Sequence, residues 1–127
     1  YTTKLNPIIL RNGLGLKGQC TWYVSGRLLE LALMPSVLGV HGFKGHAKAW
    51  KSYAEQYGIK VSKQPKAGAI AVWTGGKYGH VAFVEKINAN GSFYITESNF
   101  SCPNCYSTAT INISSRPKLG TLYFIYP

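Results

Sequence analysis

The chain has 127 residues, of which 46% are hydrophobic, 13% aromatic and only 14% charged; that is enough to bury one core and excludes a disordered chain. Fourteen Lys and Arg against four Glu give a formal net charge of +10. There is no Asp, which excludes a Ser-His-Asp triad, an aspartic dyad and an Asp-built calcium loop.

Residues 1–17, with Pro7, Gly13 and Gly15, read as an irregular lead-in. The chain starts at Tyr1 with neither Met nor a charged-then-apolar signal segment, so it reads as a single domain, 1–127, excised from a larger protein. A helix is predicted over 19–32, with Val24, Leu28 and Leu31 as its buried stripe and Pro35 ending it. A glycine-spaced loop leads to a second helix over 46–57, apolar along Trp50, Tyr53, Ala54 and Tyr57 and stopped by Gly58. After Pro65 come short strand-like runs at 69–73, 80–87, 92–98, 108–113 and 121–126. Asn90-Gly91 between two alternating runs signals a hairpin. Helices followed by sequential strands predict an α+β domain with an antiparallel sheet. No apolar run is long enough for a membrane helix, so no membrane insertion is expected.

Cys20 lies at the predicted start of the first helix, where unpaired backbone N–H groups favour negative charge. A thiolate is the reactive form of cysteine, so this position suits a nucleophile; the bland reading is a small core hydrophobe. A nucleophilic Cys needs a base. His80 opens the apolar run Val81-Ala82-Phe83-Val84, at a strand end where sheet gives way to cleft. His41 reads as a loop residue and His46 as a packing residue on the second helix. Strand alternation puts Phe93, Ile95, Glu97 and Asn99 on one inward face. A carboxylate there is costly without a partner, and the hairpin brings the His80 and Glu97 runs side by side. Glu30, Glu55 and Glu85 read as solvated.

Three segments, Gly18-Gln19-Cys20-Thr21-Trp22-Tyr23, Gly79-His80-Val81-Ala82-Phe83-Val84 and Glu97-Ser98-Asn99, resemble in order and spacing the motifs of the CHAP family, the cysteine, histidine-dependent amidohydrolases/peptidases. Residues 65–73 also resemble the strand that the family places before its His, and the likeness runs from about Gly18 to Tyr126. NlpC/P60 hydrolases are less similar. The resemblance implies a papain-like fold of N-terminal helices packed on an antiparallel sheet of about five or six strands. It implies hydrolysis of an amide bond in bacterial peptidoglycan, either N-acetylmuramoyl–L-alanine or a bond in the stem peptide or cross-bridge. Cys20 would be the nucleophile, His80 the base, Glu97 its orienting partner and Asn99 a fourth member. The Cys20 backbone N–H and the Gln19 side chain would hold the oxyanion. Some family members carry an acidic calcium loop before the Cys; Asn12-Gly13-Leu14-Gly15-Leu16-Lys17 offers no carboxylate, so neither metal nor other cofactor is expected.

Cys102-Pro103-Asn104-Cys105 reads as a disulfide or two loop thiols, since no second Cys/His pair completes a zinc site and the motif lies between strands. Trp22, Tyr23, Trp73 and Tyr78 flank the motifs and suit the walls of a substrate groove; the alternative for Trp22 and Tyr23 is packing of the first helix. Lysines 44, 48, 51, 60, 63 and 66 make a basic stretch that suits anionic wall polymers. The expected setting is extracellular or cell-wall, secreted or phage-, virion- or conjugation-associated, with the domain monomeric. The competing reading is a non-catalytic basic module for wall polyanions or nucleic acid, although no recognised nucleic-acid motif is present.

Overall fold

The computed structural model of the chain describes residues 6–8 and 16–127. Most of the predicted lead-in and most of the Asn12–Lys17 loop lie outside the described residues.

Helix α1, Cys20–Glu30, is followed by a 3₁₀ segment at Ser36–His41. A 3₁₀ turn at Ala47–Ala49 runs into helix α2, Trp50–Gln56. Six strands follow: β1 Lys60–Ser62, β2 Ile70–Trp73, β3 His80–Ile87, β4 Phe93–Ser98, β5 Tyr106–Ile111 and β6 Leu122–Tyr126. They form one antiparallel sheet in the order β1-β6-β2-β3-β4-β5. This is the expected α+β, papain-like arrangement of helices on an antiparallel sheet.

Strand alternation gives the sheet two apolar faces. On one, Ile70, Val72, Val81, Phe83 and Ile125 meet Val24 and Leu28 of α1 and Trp50 and Ala54 of α2. Trp50 is fully buried and stacks on Phe43, ring centroids 4.9 Å apart. On the other face Ala71 and Ala82, register partners, form a low middle between bulkier neighbours. Phe93 of β4 and Phe124 of β6 therefore meet edge to face at 5.4 Å although β2 and β3 separate their strands. The sheet curls over its alanines and closes this second core on itself.

Several boundaries differ from the predicted ones, each for a local reason. Helix α1 ends before residue 32 because Ala32 adopts φ +56°, while Ala32 N–H bonds Leu29 O and Leu33 N–H bonds Leu28 O. That double closure is a Schellman turn, and it ends the helix ahead of Pro35. Leu31 is thereby turned outward, 40% exposed, and does not belong to the buried stripe. Tyr57 caps α2 and is likewise exposed rather than part of its apolar side. Strand β1 is not among the predicted runs: its three residues, Lys60 exposed and Val61 and Ser62 partly buried, are too few to show a pattern, and only pairing with β6 makes them a strand. Strand β5 spans 106–111 rather than 108–113 because the Asn112 side chain accepts the Ser114 N–H and turns the chain.

Candidate active site

Two glycines set up the ends of the elements that matter here. Gly18 has φ +90°, and a Cβ on it would stand 2.7 Å from Cβ of Asn104. Gly79 has φ +71°, and a Cβ there would stand 2.6 Å from the Trp73 carbonyl oxygen and from Cβ of Lys48. Only glycine fits both the left-handed backbone and the crowding. Cys20 follows the first by two residues and His80 follows the second directly, so each side chain leaves a sharp turn at the mouth of a cleft.

That cleft is a cavity of about 560 Å³, whose lining includes Gln19, Cys20, His46, Tyr78, His80 and Asn99. Cys20 is the first residue of α1, partly exposed and a free thiol, whereas Cys102 and Cys105 are joined as a disulfide with Cα atoms 5.6 Å apart. Gln19 is the N-cap, but its side chain makes no capping bond, so the carboxamide is not spent on the helix.

His80 and Glu97 share the second sheet face, and His80 Nε2 lies 2.8 Å from Glu97 Oε1 in a buried hydrogen bond. This leaves Nδ1 as the ring nitrogen for the thiol. The imidazole sits between aromatic rings, 5.6 Å from Trp73 and 5.3 Å from Phe100 by centroid. Burial alone would lower the His80 pKa, but hydrogen bonds to Cys20 and Glu97, with their charges, outweigh it and raise the group above 6.5. Burial pushes the Glu97 carboxyl up, but Arg116 and then His80 outweigh it by hydrogen bond and charge, and hold it below 4.5.

Arg116 escaped the sequence reading. It lies in the β5–β6 connection and reaches Glu97 with both terminal nitrogens, Nη1 to Oε1 and Nη2 to Oε2, each at 2.7 Å. Its guanidinium carbon is 3.6 Å from the Phe100 ring centroid and 5.1 Å from that of Trp73. The one signal available was Glu97 itself, since a buried carboxylate beside an imidazole calls for a cation.

The expected groove residues divide. Tyr78 is half exposed on the cavity wall, its ring 4.5 Å from that of His46. His46 thus belongs to the wall rather than to the packing of α2. Trp73 is a correction: at 1% exposure it lies buried against His80 and Arg116 and offers no face to a substrate. Tyr23 is another, at 2% exposure, with its hydroxyl bonded to Thr96 Oγ1 at 2.7 Å on the helix side of the sheet. Trp22 packs against the first core cluster. Asn99 lines the cavity but takes φ +62°, and its Oδ1 accepts the Asn104 N–H at 2.8 Å while its own N–H bonds Cys105 O at 2.9 Å. The disulfide turn is thus tied to the cavity wall through Asn99. Glu85, read as solvated, instead receives Arg27 through Nε at 2.9 Å and Nη2 at 2.6 Å.

The arrangement is a partly exposed thiol at a helix N-terminus, an imidazole with one nitrogen fixed by a carboxylate, and a cavity beside both. It can perform nucleophilic attack on an acyl group followed by proton return. Among the described residues no group of three or more His, Cys, Asp or Glu could hold a metal ion.

A model of the CHAP domain matches residues 11–99. The N-acetylmuramoyl-L-alanine amidase sle1 of Staphylococcus haemolyticus is 36% identical over 96 residues, 76% of this chain and 28% of that protein. The staphylococcal secretory antigen ssaA2 of Staphylococcus aureus is 41% identical over 99 residues, 76% of this chain and 34% of that one. A crystal structure of N-acetylmuramoyl-L-alanine amidase from Staphylococcus aureus matches with a TM-score of 0.68 at 36% identity, over 86% of this chain and 30% of that chain. The chain therefore spans about a third or less of the length of these relatives. With three motifs in register, a family match over most of its length and the same fold, the chain belongs to the CHAP domain family.

Proposed function

We propose that this chain is a catalytic domain, working as one unit over 1–127, that hydrolyses an amide bond of bacterial peptidoglycan through a thioester on Cys20. The observation that carries the reading is the buried His80–Glu97 hydrogen bond beside the one free thiol, at the edge of a cavity. The Cys20 sulfur attacks the amide carbonyl carbon, and His80 holds the thiol proton. Collapse of the tetrahedral intermediate breaks the C–N bond as His80 gives that proton to the leaving amine. Water, deprotonated by His80, then attacks the thioester and releases the acid and the thiol. The N–H of Cys20 and the carboxamide of Gln19 are the donors assigned to the oxyanion. Glu97 keeps the imidazole oriented. Asn99 contributes only its amide nitrogen to the cavity side, because its oxygen is committed to the turn at Asn104.

The bond is N-acetylmuramoyl–L-alanine or one in the stem peptide or cross-bridge, and the names of two relatives favour the first. The setting is outside the cell, at the wall. The lysines serve retention there. Lys51 and Lys63 stand 4.6 and 4.7 Å from the Tyr123 ring centroid, and Lys60 and Lys66 stand 5.6 and 5.1 Å from that of Tyr126. Tyr123 and Tyr126 lie on opposite faces of β6, so the four cations make two basic pairs, one on each side of this end of the sheet, for anionic wall polymers.

The test is digestion of purified peptidoglycan by the wild type and by Cys20→Ala, with the fragments read by mass spectrometry. Fragments from the wild type alone are expected, and their new termini name the bond. Equal release by Cys20→Ala overturns the cysteine mechanism. Sedimentation with walls across a salt series tests the lysines: retention falls steeply with salt if they hold polyanions, and retention independent of salt removes that role.

A further inference from the structure

We propose that Arg116 is a positioning residue for this reaction, its guanidinium fork, stacked on Phe100 and Trp73, fixing the plane of the Glu97 carboxylate so that one oxygen stays on His80. The inference rests on the function proposed above, but its structural basis is independent of the substrate. A carboxylate bonded only to an imidazole can rotate about its last bond and exchange oxygens. Here Oε1 receives both Arg116 Nη1 at 2.7 Å and His80 at 2.8 Å, while Oε2 receives Nη2 at 2.7 Å. Three donors on two oxygens leave one orientation.

The fork is itself held. Phe100 lies 3.6 Å from the guanidinium carbon and its ring is also 5.3 Å from the His80 ring. Trp73 lies against both in the same way, at 5.1 and 5.6 Å. The backbone that carries Arg116 is pinned just beyond it, where Gly75 N–H bonds Leu119 O at 2.8 Å and Thr74 N–H bonds Thr121 O at 3.0 Å. Side chains at 10% and 1% exposure for Arg116 and Glu97 keep water from competing for these bonds. A lysine could supply the charge but neither the planar fork nor the stacking.

The charge has a second consequence. The charged and titratable groups around His80 are Cys20 from α1, Glu97 from β4, Arg116 from the β5–β6 connection, and His46 and Tyr78 on the cavity wall. Arg116 keeps Glu97 ionised, so that the carboxylate can support an imidazolium, and its own positive charge limits how strongly that imidazolium is held. Removing it lets Glu97 take up a proton at higher pH, which moves the acid limb of activity upward. Where Glu97 is still ionised, His80 keeps its proton to higher pH, which moves the basic limb upward as well.

The experiment compares wild type, Arg116→Met and Arg116→Lys by two readouts over pH, kcat/KM for wall-fragment release and the rate of Cys20 alkylation by iodoacetamide, with Cys20→Ala as the control for the first. Arg116→Met is expected to lower kcat/KM roughly 10- to 100-fold, chiefly through kcat, as loss of a supporting shell does elsewhere. Both limbs should move to higher pH. Arg116→Lys should restore the limbs but not the rate. A folded Arg116→Met with wild-type limbs and wild-type rate overturns the proposal. If Arg116→Met does not fold, Arg116→Lys decides alone: wild-type kcat overturns the proposal, and reduced kcat with unchanged limbs upholds it. Equal digestion by Cys20→Ala would instead overturn the cysteine mechanism proposed above, and the alkylation profiles, which need no substrate, would still judge Arg116.

Discussion

Two arginine–glutamate forks occupy opposite faces of the sheet. Arg27 of α1 grips Glu85 of β3 on the helix side, with side chains 22% and 17% exposed, and Thr96 and Tyr23 extend the chain of hydrogen bonds. Arg116 grips Glu97 on the self-closed side, at 10% and 1% exposed. The pairs are chemically alike, yet only the second has an imidazole on its carboxylate. The first ties a helix to a strand at the rim of the core, whereas the second lies under the cavity. What sets the second ion pair apart is therefore its third neighbour, not its own geometry.

The sharpest way to break that comparison is to neutralise each carboxylate in turn. Glu97→Gln should slow wall digestion by roughly 10- to 100-fold without abolishing it, because an amide still accepts from His80 but no longer stabilises its charged form. It should also destabilise the fold by about 3 kcal/mol, since the variant leaves a buried guanidinium without its counter-charge. Denaturant midpoints and fragment release measured on one preparation check both. Glu85→Gln should lose about 1–3 kcal/mol of stability and keep kcat/KM within about twofold. If Glu85→Gln proved as damaging to turnover as Glu97→Gln, the two forks would not differ in the way their surroundings imply.

A pH series sharpens the same contrast with a smaller effect. Glu97 is held below its ordinary 4.5, so its contribution is fully present above that value and is lost as pH falls through the depressed folded value. His80 is raised above 6.5, so its contribution is present below 6.5 and is lost as pH rises through the folded value. Stability from the pair should peak between those limits, with every tenfold difference in proton affinity between folded and unfolded chain contributing about 1.4 kcal/mol. Chemical denaturation from about pH 3 to about pH 8 should show both slopes in the wild type and lose the acid slope in Glu97→Gln. A wild-type acid slope retained in Glu97→Gln would assign it to other carboxylates.

The two faces also differ in how much of them the sequence revealed. The helix-side core follows from periodicities: 3.6 in Val24 and Leu28, 2 in Ile70 and Val72, Val81 and Phe83. Cys20, His80 and Glu97 stood at element ends; the Asn90-Gly91 hairpin put the His80 and Glu97 runs side by side, and the likeness to the family's motifs joined Cys20 to them. The self-closed face depends on strands that are not neighbours in sequence, Phe93 against Phe124 over Ala71 and Ala82, and no local pattern encodes that contact. Arg116 was hidden for the same reason. It sits in a connection with no periodicity, nineteen residues after its partner, and its meaning arises only when the β5–β6 connection brings it to Glu97 of β4. Trp73 and Tyr23 were misplaced because proximity to a motif in sequence says nothing about which side of the sheet a ring faces. Trp73 faces His80 but from underneath, and Tyr23 lies on the other side.

The smallest effect concerns the one wall whose aromatic residues stay open. Tyr78 is 50% exposed and its ring rests 4.5 Å from His46 at 45°, so the pair presents an angled, partly polar corner toward the cavity that Cys20 and His80 also line. Neither ring has a bond to Cys20, His80 or Glu97 among the hydrogen bonds of the described residues, so neither should alter the chemical step. Removing His46 as Ala takes away Tyr78's support and some contact with bound wall polymer. The expected result is a rise in KM of about threefold with kcat unchanged, the pattern of binding felt equally in ground and transition states. A fall in kcat with KM unchanged would instead give His46 a part in proton transfer, and the assignment of His80 as the only base would then have to be divided between two imidazoles facing one cavity.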